Sequence, residues 1–161
     1  MRIIAFDPGY ERLGIAILEK EKNTKETVLY SDCFRTSSKE SHAERLAKIV
    51  IEIERLIKEF HPEQMAIETL FFSKNTKTAL KVAEARGVLV AICAKEGLIV
   101  NEYSPQAIKI SVTGAGNSDK TQVAKMVGLI TKIDIKTKID DEVDAIAVGL
   151  CCFSTLKNIH N

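Results

Sequence analysis

Apolar residues fall along this chain in two rhythms, and the change between them marks out its elements. Residues 3–6 form a short apolar run, broken by the turn chemistry of Asp7-Pro8-Gly9. Leu13-Gly14-Ile15-Ala16-Ile17-Leu18 predicts a second strand, 20–26 a polar turn and 27–34 a third strand, so the three read as an antiparallel meander. The period then becomes helical. Ala43, Leu46, Ala47, Val50, Ile53, Ile57 and Phe60 recur on one face, Ser41 and Glu44 are spaced as a capping box, and Pro62 ends the element. Residues 65–67 predict a buried strand, 75–96 a helix stopped by Gly97, and 98–103 a fifth strand. A short helix over 105–111 leads into the loop Thr113-Gly114-Ala115-Gly116-Asn117. Ser118 or Asp119 can cap a helix running to Ile130, and the last helix is expected over 140–153 with Asp140 as its N-cap.

Three meandering strands followed by alternating helices and strands predict an α/β fold, a mixed five-stranded sheet with helices on both faces. The order fits a ribonuclease-H-like core, and the 161 residues suit one domain over 1–161. In such a layout the ends of the first and fourth strands lie side by side. Asp7 and Glu68 would then be neighbours.

That juxtaposition directs attention to four carboxylates. Asp7 closes the first apolar run and Glu68 closes the fourth strand, while Asp141 and Asp144 open the apolar run 139–150. Asp141 and Asp144, three apart, share a helix face, and Asp144 lies too far inside the helix to cap it. Glutamate is poorly suited to the end of a buried strand. Carboxylates brought together there repel one another unless something positive lies between them. Hard cations such as Mg²⁺ take oxygen ligands, and two can clamp both sides of a phosphoryl transfer. The pattern points to a Mg²⁺-dependent nuclease.

Composition narrows the class. An apolar fraction of 45% with 28% charged residues describes an ordinary globular protein. No apolar run approaches a membrane span and no signal-peptide pattern is present, so a cytoplasmic protein is expected. Cys33, Cys93, Cys151 and Cys152 lack C-x-x-C spacing and read as buried hydrophobes in a reducing compartment; His42, His61 and His160 are not spaced as zinc ligands. Net charge is only +1, but it is unevenly spread. Residues 69–86 carry +3, residues 105–138 carry +4 and residues 139–161 carry −3. Two basic segments around an acidic pocket suit a polyanion whose phosphates must reach metal ions, although solvated helix faces account for many of these lysines.

The motifs resemble those of the RuvC family of Holliday-junction resolvases. The resemblance runs through Ile4-Ala5-Phe6-Asp7-Pro8-Gly9, Ala66-Ile67-Glu68, Phe71-Phe72-Ser73-Lys74-Asn75 and Ala85-Arg86-Gly87-Val88. It continues through Tyr103-Ser104-Pro105 with Lys109, Gly114-Ala115-Gly116 with Lys120-Thr121-Gln122-Val123, and Asp141-Glu142-Val143-Asp144-Ala145. Each block is short; the ordered set covers almost the whole chain. The resemblance implies that Asp7, Glu68, Asp141 and Asp144 are the catalytic, metal-binding residues. Some members carry histidine at the position of Asp141, so this chain has the all-carboxylate form. It further implies a homodimer that nicks opposing strands of a four-way DNA junction in recombination and repair, leaving 5′ phosphate, and that works with a branch-migration motor. Two Mg²⁺ ions with DNA bound are expected, with Mn²⁺ as a substitute. One ion would activate a water and the other would stabilise the leaving 3′ oxygen.

Around this centre, Phe71 and Phe72, rimmed by Lys74 and Lys77, could stack on unpaired bases or wedge a junction; the alternative buries both in the core, and one ring is expected to be exposed. By the resemblance, Lys109 and Lys120 lie near the active site and each could hold a scissile-strand phosphate. Gly114-Ala115-Gly116 lacks the ending of a P-loop and reads as flexible backbone that moulds to DNA. The helix over 75–96 has a small stripe at Ala79, Ala83, Gly87 and Ala91, with Leu80, Val82, Leu89, Val90 and Ile92 on its other sides. A helix apolar this far around needs cover on more than one face, from the sheet and from a partner subunit or the rest of the monomer. Three other readings stay open. An actin-like phosphotransferase shares the core, but this chain is too short for a second such domain. A non-cutting nucleic-acid-binding relative would not need four carboxylates. A ribonuclease-H-like RNA-processing nuclease is the nearest alternative.

Overall fold

The structure, a computed structural model, describes residues 1–22, 24–70 and 76–159, with backbone alone for 76–78 and 157–159. Five strands form one sheet in the order β3-β2-β1-β4-β5. β1 (Arg2–Asp7) is antiparallel to β2 (Arg12–Glu19), with Asp7 opposite Gly14, and β2 is antiparallel to β3 (Thr27–Arg35). β4 (Gln64–Glu68) joins β1 in parallel, Phe6 opposite Ile67, and β5 (Ile99–Tyr103) joins β4 in parallel, Glu68 opposite Tyr103. The sheet is therefore mixed, as the element order predicts, and the fold is the α/β, ribonuclease-H-like one. Asp7 and Glu68 end neighbouring parallel strands at the same edge.

β1 is central, and alternate residues feed two cores. Ile4 and Phe6, with Ile15, Ile17, Met65 and Ile67, face α1 (His42–Phe60) and α2 (Thr76–Lys95). Ile3 and Ala5, with Ala16, Leu18 and Ala66, face α3 (Pro105–Thr113), α4 (Lys120–Thr131) and α5 (Asp140–Ile159). Ile3, Ile4, Ala5 and Phe6 are all fully buried, which explains why this strand reads as a continuous apolar run rather than an alternating one. Each large apolar side chain so enclosed contributes about 1.5–3 kcal/mol of transfer free energy.

Ala5, Ala16 and Ala66 keep parts of the α5 side of the sheet low, so α5 lies close upon it. A Cβ on Gly149 would stand 2.4 Å from Leu18 Cδ1 and 3.3 Å from Ala5 Cβ. A Cβ on Gly14 would stand 2.1 Å from the Asp141 carbonyl oxygen. These two glycines let the helix descend onto β1 and β2, and they set the depth at which its first turn meets the end of β1.

Capping explains most helix starts. Ser41 and Glu44 form the expected box at α1, Ser104 caps α3 with Pro105 following, and Asp119 rather than Ser118 caps α4 in a second box with Gln122. α5 differs from expectation. Asp140 is its first helical residue, not its cap, and the Ile139 N–H donates to Glu142 Oε1. The helix also outlasts 153, reaching Ile159. Ser154 and Thr155 donate to the Cys151 carbonyl, satisfying their hydroxyls within the helix, and Leu156 packs against the core. All four cysteines are buried and free. No helix among the described residues is long and apolar enough to cross a membrane.

Candidate active site

The edge where β1 and β4 end opens into a cavity of about 320 Å³. Asp7, Glu68 and Asp144 line it together with Lys109 and Lys120, and Pro105, Ile108, Val123 and Ala147 form its apolar wall. Each polar member arrives from a different element: Asp7 from β1, Glu68 from β4, Asp144 from the second turn of α5, Lys109 from α3 and Lys120 from the first turn of α4. Five residues up to 137 positions apart in sequence converge because α5 is seated against the strands and α3 and α4 pack beside it.

Asp141 lies at the rim, where its backbone touches Gly14 and its carboxylate accepts from the Arg12 guanidinium. Asp144 accepts from Lys120 Nζ at 3.0 Å. Glu142, between them in sequence, points the other way and is buried. Its Oε2 accepts from Ser31 Oγ at 2.7 Å and pairs with Lys138 Nζ at 3.0 Å, which ties the start of α5 to β3.

The electrostatics record the crowding. Burial foremost, then the charges of Asp144, Glu68 and Asp141, push the Asp7 carboxyl from its ordinary 3.8 to about 7, against the pull of Lys120. Burial and then Asp144 raise Glu68 as well, while Lys120 and Lys109 draw it back. The hydrogen bond from Lys120 to Asp144 holds that ammonium above its ordinary range. Protons and lysines thus supply the positive charge that the carboxylates require.

An all-oxygen donor set under mutual repulsion suits a hard divalent cation, so the residues fit the metal expected from the sequence. Among the described residues, no three such side chains already converge as a ready ligand group. The two α5 aspartates are instead turned onto Arg12 and Lys120.

The supporting residues were less visible in sequence. Arg86 of α2 donates from Nε to the Glu68 carbonyl at 3.2 Å and pairs through Nη2 with Glu102 at 2.7 Å, pinning the end of β4 between α2 and β5. The Thr69 N–H donates to the Tyr103 carbonyl at 2.8 Å, extending that anchor. The turn after Asp7 is clamped by Arg45. This buried guanidinium lies 3.6 Å from the Tyr10 ring centroid and donates to the Tyr10 carbonyl at 3.1 Å and to Thr36 Oγ1 at 2.8 Å. His42 joins the same network through the Tyr10 hydroxyl at 2.8 Å and Glu84 at 2.9 Å.

The loop expected to mould to DNA is closed upon itself. Thr113 Oγ1 donates to the Lys109 carbonyl at 2.8 Å and accepts from the Ala115 N–H at 3.2 Å, and Ser118 Oγ donates to the Ala115 carbonyl at 3.0 Å. Phe71, Phe72 and Lys74 lie outside the described residues, as does the side chain of Lys77.

Comparison with known proteins finds relatives by sequence and by structure. A family model described as "Crossover junction endodeoxyribonuclease RuvC" matches residues 3–152. Curated proteins of that description from Finegoldia magna and Thermosipho melanesiensis are each 42% identical to this chain over 151 residues. Those alignments cover 94% of this chain and 92% and 96% of the relatives. Among solved structures, T. thermophilus RuvC in complex with Holliday junction substrate superposes with a TM-score of 0.92 at 27% identity, covering 98% of this chain and 96% of that one. The yeast mitochondrial Holliday junction resolvase, at 14% identity and a TM-score of 0.73, shares the fold.

Proposed function

The chain belongs to the RuvC family of crossover junction endodeoxyribonucleases, and from that premise we propose that it resolves four-way DNA junctions using the carboxylates gathered where β1, β4 and α5 meet. It is an endonuclease of Holliday junctions, serving recombination and repair. The observation that carries the site assignment is that Asp7, Glu68 and Asp144 line one cavity together with Lys109 and Lys120.

Nucleases of this family are metal-dependent, and the ions here are Mg²⁺, with Mn²⁺ as a substitute. Asp7, Glu68, Asp141 and Asp144 would hold them, two ions when DNA is bound. When bound, the ions supply the charge that activates a water and stabilises the leaving oxygen. The remaining work falls to the chain. Asp7 and Glu68, at the ends of adjacent paired strands, form the floor of the site. Arg86 and the Thr69 N–H hold the Glu68 backbone in place. Lys109 and Lys120 meet the phosphate of the scissile strand, and the apolar wall of Pro105, Ile108, Val123 and Ala147 limits competing water. Hydrolysis forms a bond from water to phosphorus and breaks the bond to the 3′ oxygen, leaving 5′ phosphate and 3′ hydroxyl ends.

Residues 1–161 act as one nuclease domain, and two copies act together. On α2, Leu80 is 62% exposed and Gly87 and Ala91 are exposed, with Ala83 half-buried beside them. A Cβ on Gly87 would meet nothing within 4 Å, so the helix presents a shallow apolar strip on which a second α2 can lie. A C2 dimer matches the two-fold symmetry of a junction and delivers one cavity to each of two equivalent strands. A branch-migration motor is its partner, and the cytoplasm its compartment.

The test is cleavage of an end-labelled four-way junction and of linear duplex, with Mg²⁺ and with EDTA. Paired symmetric nicks on the junction in Mg²⁺ alone are expected. Equal rates in EDTA, or comparable cutting of duplex, would overturn the reading.

A further inference from the structure

Arg12 pairs with Asp141, a carboxylate close enough to the cavity to raise Asp7, while the two lysines that the proposed function uses line the cavity itself. It is the first residue of β2, just past the turn that follows Asp7, and faces Arg35 of β3 in register. Lys109 and Lys120 come from α3 and α4. The Arg12 side chain is 46% exposed and its guanidinium donates to Asp141 Oδ2, 129 positions away in sequence. Asp141 itself is 19% exposed and fixed at the backbone by its contact with Gly14. The pair therefore joins a half-exposed cation, which also lies against the Cys33 thiol, to a carboxylate whose backbone is held in place.

We propose that Arg12 is a positioning residue that exchanges partners: it neutralises Asp141 in the DNA-free protein and, once Asp141 turns to metal, takes a backbone phosphate flanking the scissile one. The inference rests on the reading of Asp141 as a metal ligand. Three features support it. A planar guanidinium fits carboxylate and phosphate with the same bidentate geometry, so the exchange costs no change of shape. Asp141 cannot give its full charge both to an arginine and to a divalent ion, so the two compete. And Arg12, at the start of β2, adds a cation from a different element to Lys109 of α3 and Lys120 of α4.

Competition makes a prediction opposite in sign to that of a structural pair. If Arg12 merely propped Asp141 in place, removing it would scatter the ligand and weaken metal binding. If Arg12 competes, Arg12→Ala tightens Mn²⁺ binding by about two- to fivefold, the range of an exposed ion pair, and Arg12→Lys falls between. Calorimetric titration of the DNA-free protein with Mn²⁺ reads this without any activity assay. Junction binding in Ca²⁺ at several salt concentrations reads the second half: for Arg12→Ala the slope of log affinity against log salt drops by about 0.9, one phosphate. Unchanged or weaker Mn²⁺ affinity, or an unchanged salt slope, overturns the proposal. Asp7→Asn is measured alongside. Should it bind Mn²⁺ as tightly as the wild-type protein, the placement of the metal site itself is wrong; should it lose binding while Arg12→Ala matches wild type, only the role of Arg12 falls.

Discussion

Gly14 and Asp141 touch backbone to backbone, so closely that a methyl group on Gly14 would lie 2.1 Å from the Asp141 carbonyl oxygen and 3.1 Å from Asp7 Cβ. This contact seats the first turn of α5 at the end of β1. It decides whether aspartates contributed by a helix reach carboxylates contributed by strands.

Gly14→Ala is therefore expected to separate fold from function. The strand can accept alanine only by pushing α5 outward, a strain of about 1–3 kcal/mol that lowers the melting temperature without unfolding the protein. Displacing Asp141 and Asp144 by even part of an ångström should reduce cutting by about 100-fold. Circular dichroism melts beside junction cleavage measure both. Wild-type cleavage by a folded Gly14→Ala protein would show that the contact does not position the site.

The crowded carboxylates predict an unusual pH dependence for the metal-free protein. Asp7 keeps its proton up to about 7 in the folded chain, against 3.8 ordinarily. Between those limits the folded state binds more protons than the unfolded one, so its stability falls as pH rises. Asp7→Asn removes that loss. In EDTA the variant should match wild type near pH 3 and exceed it at pH 8, by at most about 4 kcal/mol. Mg²⁺ should then favour the wild-type protein, because only its site binds the ion well. A stability difference independent of pH would mean that Asp7 is not strained.

Glu142 should behave in the opposite way. Burial works to raise its pKa, but bonds from Ser31, Lys138 and the Ile139 N–H outweigh it and bring the carboxyl below its ordinary 4.5. Its stabilising contribution is present above that value and is lost as pH falls through the depressed one. Glu142→Gln should lower the melting temperature at pH 7 by the equivalent of about 1–3 kcal/mol, and the difference should shrink below pH 4. A deficit that persists unchanged at pH 3 would assign the loss to packing rather than charge.

These residues also show what could be read in the sequence. β1 and β4 were legible because each is a short apolar run ending in a carboxylate, and their adjacency followed from element order. α1 was legible from its period and capping box. The cavity members Asp7, Glu68, Asp144, Lys109 and Lys120 were all named, though apolar rhythm alone would not have joined them; the ordered motifs did. Arg12 and Asp141 meet only in three dimensions, and nothing local marks Arg12 among other charged turn residues. Asp140 looked like the cap of α5 because it precedes an apolar run. The reciprocal bond from Ile139 to Glu142 does that work from inside the helix, and a glutamate three residues beyond the cap position was the available signal. Gly14 and Gly149 read as plain strand and helix residues because close approach leaves no mark on periodicity.

The last prediction separates two roles for Lys120. It bonds Asp144 at 3.0 Å, yet 76% of its side chain is exposed and it lines the cavity. If it serves only as a counter-ion to Asp144, Lys120→Gln would alter metal affinity and leave the electrostatics of DNA binding alone. If it also meets the scissile-strand phosphate, junction binding in Ca²⁺ should lose one released counterion. The slope of log affinity against log salt would fall by about 0.9. Lys109→Gln should produce a similar drop, and the double variant roughly twice as much, because two separately held phosphates release counterions independently. Cleavage in Mg²⁺ at saturating enzyme should fall further than binding for Lys120→Gln, since the phosphate is then bound but poorly placed over Asp7 and Glu68. Binding measured across a range of salt concentrations, with cleavage under single-turnover conditions, distinguishes these cases. Slopes equal to wild type for both lysine variants would remove them from the DNA path and leave them as neutralising partners of the carboxylates.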